Sequence, residues 1–432
     1  MKSPLHEYRV FASYPRNMRV LLVTNFIYAF VMPVIEIFIG AYVMRNSNDA
    51  KMVIAYQLAV YTGIPFTFLL NGWLLQVVNI RRLYSLGMLL SGVSMVCMMA
   101  IHQLSVVGLA VAGLLMGMSF GLYWSNRDFL ALSSTNDSNR NYYYGLETFF
   151  ATNINIIVPV TVGAFIASFG AAANHAYQII TGLVFVLAVL ASLVLHTGRF
   201  ENPPRGQFIH FRYHGLWNRM QLLAILKGMG QGYIVTAPAM LVMTLVGKEG
   251  SLGTLQTLGG VLSAVLLYVL GRTTLPRHRI YIFAAGLLLF VLGATPNALL
   301  YDKLGVLIFM LCLVLGRPLQ DIAYFTIQML VIDTVSAIEN RNKYAYIFSQ
   351  EFGFYVGRFA GCGLFLVLAY AVSNTFALRY ALLIVGLVQL FSVAVARSIL
   401  KGCAHHAVAS EAPFEAGFVP SPVTSAVPSP RS

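Results

Sequence analysis

Apolar residues run along this chain in long unbroken blocks. They show neither the two-residue alternation of a half-buried strand nor the one-sided stripe of a surface helix. Twelve blocks can be drawn, at 19–44, 52–79, 83–102, 104–132, 144–169, 174–196, 219–247, 251–271, 279–300, 303–333, 344–372 and 375–398. A helical crossing of a bilayer needs about 20 mostly apolar residues, so each block is predicted to be one membrane span. Lipid offers no partner to a backbone amide, which leaves only helices and closed barrels. Barrels need segments that alternate in polarity, and these blocks do not. The predicted fold is an all-α membrane protein of twelve transmembrane helices. The polar breaks divide it into an N-terminal segment 1–18, a six-helix half 19–196, a linker 197–218, a second six-helix half 219–398 and a tail 399–432.

Composition agrees with this reading. Of 432 residues, 58% are hydrophobic and 10% charged, against about 25% charged in soluble domains. The net charge of +13 comes from basic residues scattered singly between apolar blocks. That pattern argues against a nucleic-acid surface and for loops on the cytoplasmic side. With the N-terminus inside, 19 of the 28 Lys and Arg fall on the cytoplasmic side, 5 outside and 4 within spans. Both termini are therefore expected in the cytoplasm and the chain in the plasma membrane. The first block is too long for a signal-peptide core and is expected to be retained. Cys97, Cys312, Cys362 and Cys403 lack metal-ligand spacing, and His405-His406 reads as a solvated pair. The linker, with Pro203-Pro204 and its arginines, suits an interfacial stretch. The Pro- and Ser-rich tail suits a disordered one.

The sequence also repeats. Asn139-Arg140-Asn141 and Asn340-Arg341-Asn342 are 201 residues apart. Arg82-Leu-Tyr and Arg279-Ile-Tyr are 197 apart, and Pro33 and Pro238 are 205 apart. A shared offset predicts two parallel six-helix halves.

Between spans 2 and 3 stands Gly72-Trp-Leu-Leu-Gln76-Val77-Val-Asn79-Ile-Arg81-Arg82. With the six-plus-six organisation and the basic central linker, it resembles the major facilitator superfamily over about residues 15–400. Gly72, Arg81 and Arg82 fit that family's loop motif, while Gln76, Val77 and Asn79 replace its acidic, basic and glycine positions. Gly121-Leu-Tyr-Trp124 and Gly357-Arg358 resemble a bacterial branch. The resemblance implies a central cavity lined by spans 1, 4, 7 and 10.

Ionisable residues inside spans cost about 2.5–3.5 kcal/mol each on insertion scales and usually face a cavity or one another. Most here fall on those four spans: Glu36, Arg127, Asp128, Lys227, Arg317 and Asp321. Glu147, Glu351 and Arg358 are the exceptions. Asn25, Ala29, Met32 and Glu36 share one helical face, and no basic residue lies within a turn of Glu36. Glu36 and Asp321 are the proton-coupling candidates. Asn25, Tyr28, Tyr123, Arg127, Lys227, Gln231, Arg317, Tyr324 and Gln328 are the substrate-cavity candidates. Arg317 and Asp321 are spaced to pair within their helix, and Lys227 either snorkels to the interface or contacts substrate. Asp128, Glu351, Arg358, Arg81 and Arg82 are gating or structural candidates. Gly353, Gly357 and Gly361 form a small-residue ridge suited to close helix packing.

These features predict a secondary carrier that moves a small polar organic solute, zwitterionic or carboxylate-bearing, by alternating access with proton coupling. A lipid-linked oligosaccharide flippase and a membrane-embedded transferase are the alternatives. The chain has no P-loop, His-Glu-x-x-His or Gly-x-Ser-x-Gly, so no enzyme activity, cofactor or metal is expected. The expected partners are the solute, protons and the bilayer, with the chain acting as a monomer.

Overall fold

The computed structural model describes residues 11–101, 104–135, 140–202, 210, 212–247, 249–273, 278–341 and 343–411. Among these no strand occurs. The helices are α1 (Arg16–Ser47), α2 (Ala50–Leu74), α3 (Ile80–Ala100), α4 (Val106–Ser134), α5 (Arg140–Ser168) and α6 (Ala173–His196) in the first half. The second half holds α7 (Gly215–Val246), α8 (Glu249–Thr273), α9 (Arg279–Leu300), α10 (Lys303–Glu339), α11 (Lys343–Ala371) and α12 (Asn374–His406). Eleven are long and apolar enough to cross a membrane, and α8, with 25 residues, has the length.

The twelve predicted blocks correspond to these twelve helices, with shifted ends. Helix α10 runs to Glu339 rather than 333. Helical structure continues past the apolar span of α12 to Glu411, into the segment expected to be disordered. Small and apolar residues extend its periodicity there, and Cys403 is buried against the body of the protein. His406 is likewise not simply solvated, since its ring lies 5.3 Å from that of His214. Residues 412–432, and most of the Pro203-Pro204 stretch, lie outside the described residues.

Helices α1 and α7 are interrupted at matching places. In α1 a turn at Phe30 and Pro33 precede a π-helical segment, Val34–Phe38. In α7 a break before Pro238 precedes another, Val242–Val246. Proline supplies no N–H to the ladder, and π segments commonly mark functional sites. Glu36 sits inside the first of them.

Close packing inside each half relies on glycine. A Cβ on Gly357 would meet the Ile225 carbonyl oxygen at 2.0 Å, and one on Gly361 the Met229 carbonyl oxygen at 2.2 Å. From the other side, Gly228 and Gly232 meet the Phe354 and Arg358 carbonyls at 2.5 Å. The glycine ridge expected on α11 therefore packs backbone to backbone on α7.

The halves meet at the end of the bundle away from the termini. Arg45 pairs with Glu249 at 2.7 Å and donates to the Gly170 carbonyl at 2.9 Å. Asn374 donates to Asp49 at 2.8 Å, and Thr257 donates to the Ile156 carbonyl at 2.6 Å. At mid-depth the Tyr61 hydroxyl donates to the Gln231 carbonyl at 3.0 Å. Among the described residues, no hydrogen bond or ion pair joins the halves on the terminal side of that point. There the ring pair Phe68 and Phe348, 6.4 Å apart, is an apolar contact between the halves.

Candidate functional site

A cavity of about 690 Å³ lies between the halves. Charged and amide side chains on its wall are Glu36 from α1, Gln57 from α2, Asn155 from α5, Gln231 from α7, Gln256 from α8, Arg317 and Asp321 from α10, and Glu351 and Arg358 from α11. Helices α1, α7 and α10 line it as the resemblance implied, and α4 reaches it through Met116, Phe120 and Trp124. Helices α2, α5, α8 and α11 contribute as well, so the wall is broader than expected.

Glu36 faces this cavity from the first half. Among the described residues it has neither a hydrogen bond nor an ion pair. Arg317 faces the same space from the second half with its side chain 61% exposed, and its guanidinium Nε stands 3.8 Å from Asp321. The intrahelical pair anticipated from spacing therefore exists, but loosely. Asp321 is held more closely by Lys227, whose Nζ lies 2.5 Å away.

Lys227 does not snorkel. It is buried, and its ammonium lies 4.2 Å from the Tyr324 ring centre and 4.6 Å from that of Phe325. A buried ammonium needs such partners. Lys227 therefore stands behind Asp321 rather than on the cavity wall. Arg358 donates to the Gln231 amide oxygen at 3.0 and 3.1 Å and stands 3.7 Å from Glu351. Its guanidinium also lies 5.1 Å from the Tyr61 ring centre of the opposite half. Glu351 and Arg358 thus line the cavity rather than only bracing helices.

A second pocket, about 160 Å³, opens among α1, α4 and α5 of the first half. Asn25, Ala29, Met32 and Glu36 all line it, as their shared face predicted. Tyr123, Arg127 and Glu147 line it too. Arg127 pairs with Glu147 at 2.9 Å and with Asp128 at 2.9 Å. Asn25 donates to Glu147 at 2.7 Å and accepts from the Tyr84 hydroxyl at 2.6 Å. The charges on this wall are thus largely satisfied by one another.

Other residues singled out by sequence are placed elsewhere. Tyr28 is fully buried, its ring 4.6 Å from Tyr123 and part of an aromatic wedge with Tyr84. Tyr324 is also fully buried beneath Lys227, and Gln328, one turn on, is buried too. Neither lines a cavity described here, because α10 carries that face down into the packing against its neighbours. Asp128 is exposed beside Arg127 and off both walls. Arg81 donates to the carbonyls of His196 and Gly198 at 3.1 and 3.0 Å, tying the start of α3 to the end of α6. Arg82 is exposed. In place of a charged lock, Asn202 donates to the Leu75 and Val78 carbonyls and accepts from the Ile80 amide.

Glu147, Tyr61 and Asn155 are site residues that sequence reasoning passed over or set aside. Gln57 and Tyr61, four apart on α2, were a detectable polar stripe. Asn155 is a lone amide in an apolar run, a signal shared with many packed asparagines.

The Major Facilitator Superfamily model matches residues 20–362. The chain belongs to the major facilitator superfamily. It is accordingly a secondary transporter rather than an enzyme, and a multi-pass membrane protein. It is similar to the uncharacterized protein YqgE of Bacillus subtilis (strain 168), 22% identical over 85% of this chain and 86% of that protein. A Geobacillus stearothermophilus uncharacterized protein encoded in the sodM 3′ region is 25% identical over 46% of this chain and 92% of its own length. Among solved structures, the nucleoside transporter NupG matches with a TM-score of 0.66 at 12% identity, covering 90% of this chain and 99% of that one. A bacterial homologue of the iron transporter ferroportin, in an inward-facing state, matches with 0.66 at 15%, covering 90% and 98%. A bacterial metal transporter matches with 0.61 at 15%, covering 90% and 100%. At these identities the structural likeness establishes the superfamily fold.

Proposed function

We propose that this transporter couples the movement of a small zwitterionic organic solute to that of protons, with Glu36 as the shared coupling group. The observation that carries the proposal is the Glu36 carboxyl on the cavity wall, without a hydrogen bond or ion pair among the described residues, opposite the Arg317 guanidinium of the other half. Glu36 is exposed to the cavity in this state, and closing the cavity over an unpaired carboxylate at membrane depth would cost about 2.5–3.5 kcal/mol on insertion scales. A proton or a solute ammonium relieves that cost, so the empty carrier has a reason to bind one or the other before it moves. A solute carboxylate would in turn meet Arg317, whose contact with Asp321 is loose.

A solute that spans the two groups touches both halves at once. Only such differential contact can shift an equilibrium between states, and rocking of the two halves about this site is the superfamily's mode of access. Asp321 suits proton coupling less well than Glu36, because Lys227 already neutralises it. The Lys and Arg asymmetry favours a plasma-membrane orientation with both termini in the cytoplasm. In that orientation the contacts of Arg45, Asp49, Glu249 and Asn374 close the outer side. The cavity forms within one chain, consistent with a monomeric unit.

The test is flux into proteoliposomes, screening pooled zwitterions, carboxylates and toxic organic compounds with and without a pH gradient. Gradient-dependent flux that Glu36→Gln abolishes is expected. Flux indifferent to both gradient and substitution would leave a facilitator and remove Glu36 from the mechanism.

A further inference from the structure

Three residues lie on the walls of both the central cavity and the side pocket: Glu36, Trp124 and Asn155. They are also distinctive chemically. The side pocket's other polar groups, Asn25, Arg127 and Glu147, are consumed in their own network. No hydrogen bond engages the side chains of Glu36, Trp124 or Asn155 among the described residues. The pocket therefore has a self-satisfied interior and a mouth whose polar atoms remain available.

Its remaining wall is aromatic and apolar. Phe26 and Phe150 sit with ring centres 4.7 Å apart, and Tyr123 and Trp124 at 5.1 Å. The Trp124 indole is 37% exposed, high for so large an apolar group inside the molecule. The Arg127 guanidinium lies 5.0 Å from its ring centre, which orients the indole. A dry cavity of about 150 Å³ accommodates one benzene ring, and this pocket has about 160 Å³.

We infer that the side pocket binds one aromatic ring of the transported solute, and that Glu36 at its mouth takes a cationic nitrogen two carbons (three bonds) from that ring. The inference rests on the zwitterion-carrier reading above and narrows its substrate class to aralkyl zwitterions. Trp124 and Tyr123 offer the ring faces and edges for offset or edge-on contact. Asn155 offers an amide to a heteroatom on the ring or its linker. All lining residues come from the first half, so the ring travels with that half while the charged end meets Arg317 on the other.

The test uses equilibrium binding of three probes to the purified full chain: phenylalanine, alanine and phenethylamine. Ala151 lines the side pocket but not the central cavity, so Ala151→Phe fills the ring's place. The wild type should prefer phenylalanine over alanine by about tenfold or more, a usual scale for pocket discrimination. Ala151→Phe should bring that ratio close to one. Ala151→Leu replaces it as the pocket filler if the phenylalanine variant does not elute as a folded species.

A ratio near one in the wild type, or an undiminished ratio in the filled variant, overturns the inference. Binding of phenethylamine alone, lost in the filled variant, upholds the ring pocket and overturns the zwitterion. Binding of none of the three overturns the ring pocket, while the Glu36→Gln flux experiment judges the carrier reading independently.

Discussion

The Lys227–Asp321 pair shows how a single contact can decide a residue's role. The two lie 94 positions apart in sequence and 2.5 Å apart in space. Removing one partner of a fully buried pair typically costs about 3–5 kcal/mol. Asp321 is 36% exposed, so Lys227→Met should cost less, about 2 kcal/mol by the same reasoning. The double variant Lys227→Met/Asp321→Asn should recover most of that loss. Thermal unfolding in detergent reads both, and a double variant no more stable than the single one would show that the pair is not coupled. The same logic applies to Arg127 and Glu147, where Glu147→Gln should strip Arg127 of its main partner and weaken the side pocket. Hydropathy could not foresee these pairings. It identifies which residues are costly in lipid, but the partner is chosen by how helices pack. Glu36 was legible for the opposite reason: its helical face, with Asn25, Ala29 and Met32, is a local property of α1.

At the scale of the element, the α7–α11 contact is the most restrictive. Gly357→Val would place side-chain carbon where the Ile225 carbonyl oxygen stands, 2.0 Å from the ideal Cβ. Overpacking of this kind costs about 1–3 kcal/mol. Because Arg358 is the next residue, the shift should also loosen its hydrogen bonds to Gln231. The expected result is a lower unfolding temperature together with weaker solute binding. Gly363, around which a Cβ would meet nothing within 4 Å, provides the control, and equal effects at both positions would contradict the packing account.

The glycine spacing on α11 was visible in sequence because it repeats every four residues. The π segments in α1 and α7 were not, since proline announces a break without specifying its form. Of the polar stripe on α10, Arg317 and Asp321 reach the cavity wall, and the residues further along do not. Tyr324 and Gln328 follow at helical spacing, but seven residues advance about 10 Å along the axis, out of the cavity and into the packed core.

For the whole molecule, the contacts between halves gather at one end. Arg45–Glu249 is the charged member of that set, with the Glu249 side chain 4% exposed and Arg45 29%. Arg45→Ala should leave the Glu249 carboxylate poorly compensated and favour separation there. Spin labels at Ala172 and Thr375, on opposite halves of that end in a cysteine-free background, should report longer distances in the variant. An unchanged distance distribution would mean that the glycine contact of α5 with α8 suffices to hold the closure. There, a Cβ on Gly253 would meet the Pro159 carbonyl oxygen at 2.2 Å. The number of spans and the two-half plan were legible from block length and repeat offset. Which end is closed was not, because both arrangements use the same hydrophobic pattern.

The most direct test of the central claim separates exchange from uphill accumulation in proteoliposomes. Glu36→Gln keeps a polar side chain on the wall but can neither release a proton nor carry charge. For a solute that the wild type accumulates against its gradient, the account predicts that the variant still exchanges it between the two sides, at reduced affinity, while a pH gradient no longer drives accumulation. Accumulation by the variant at the wild-type level would contradict it.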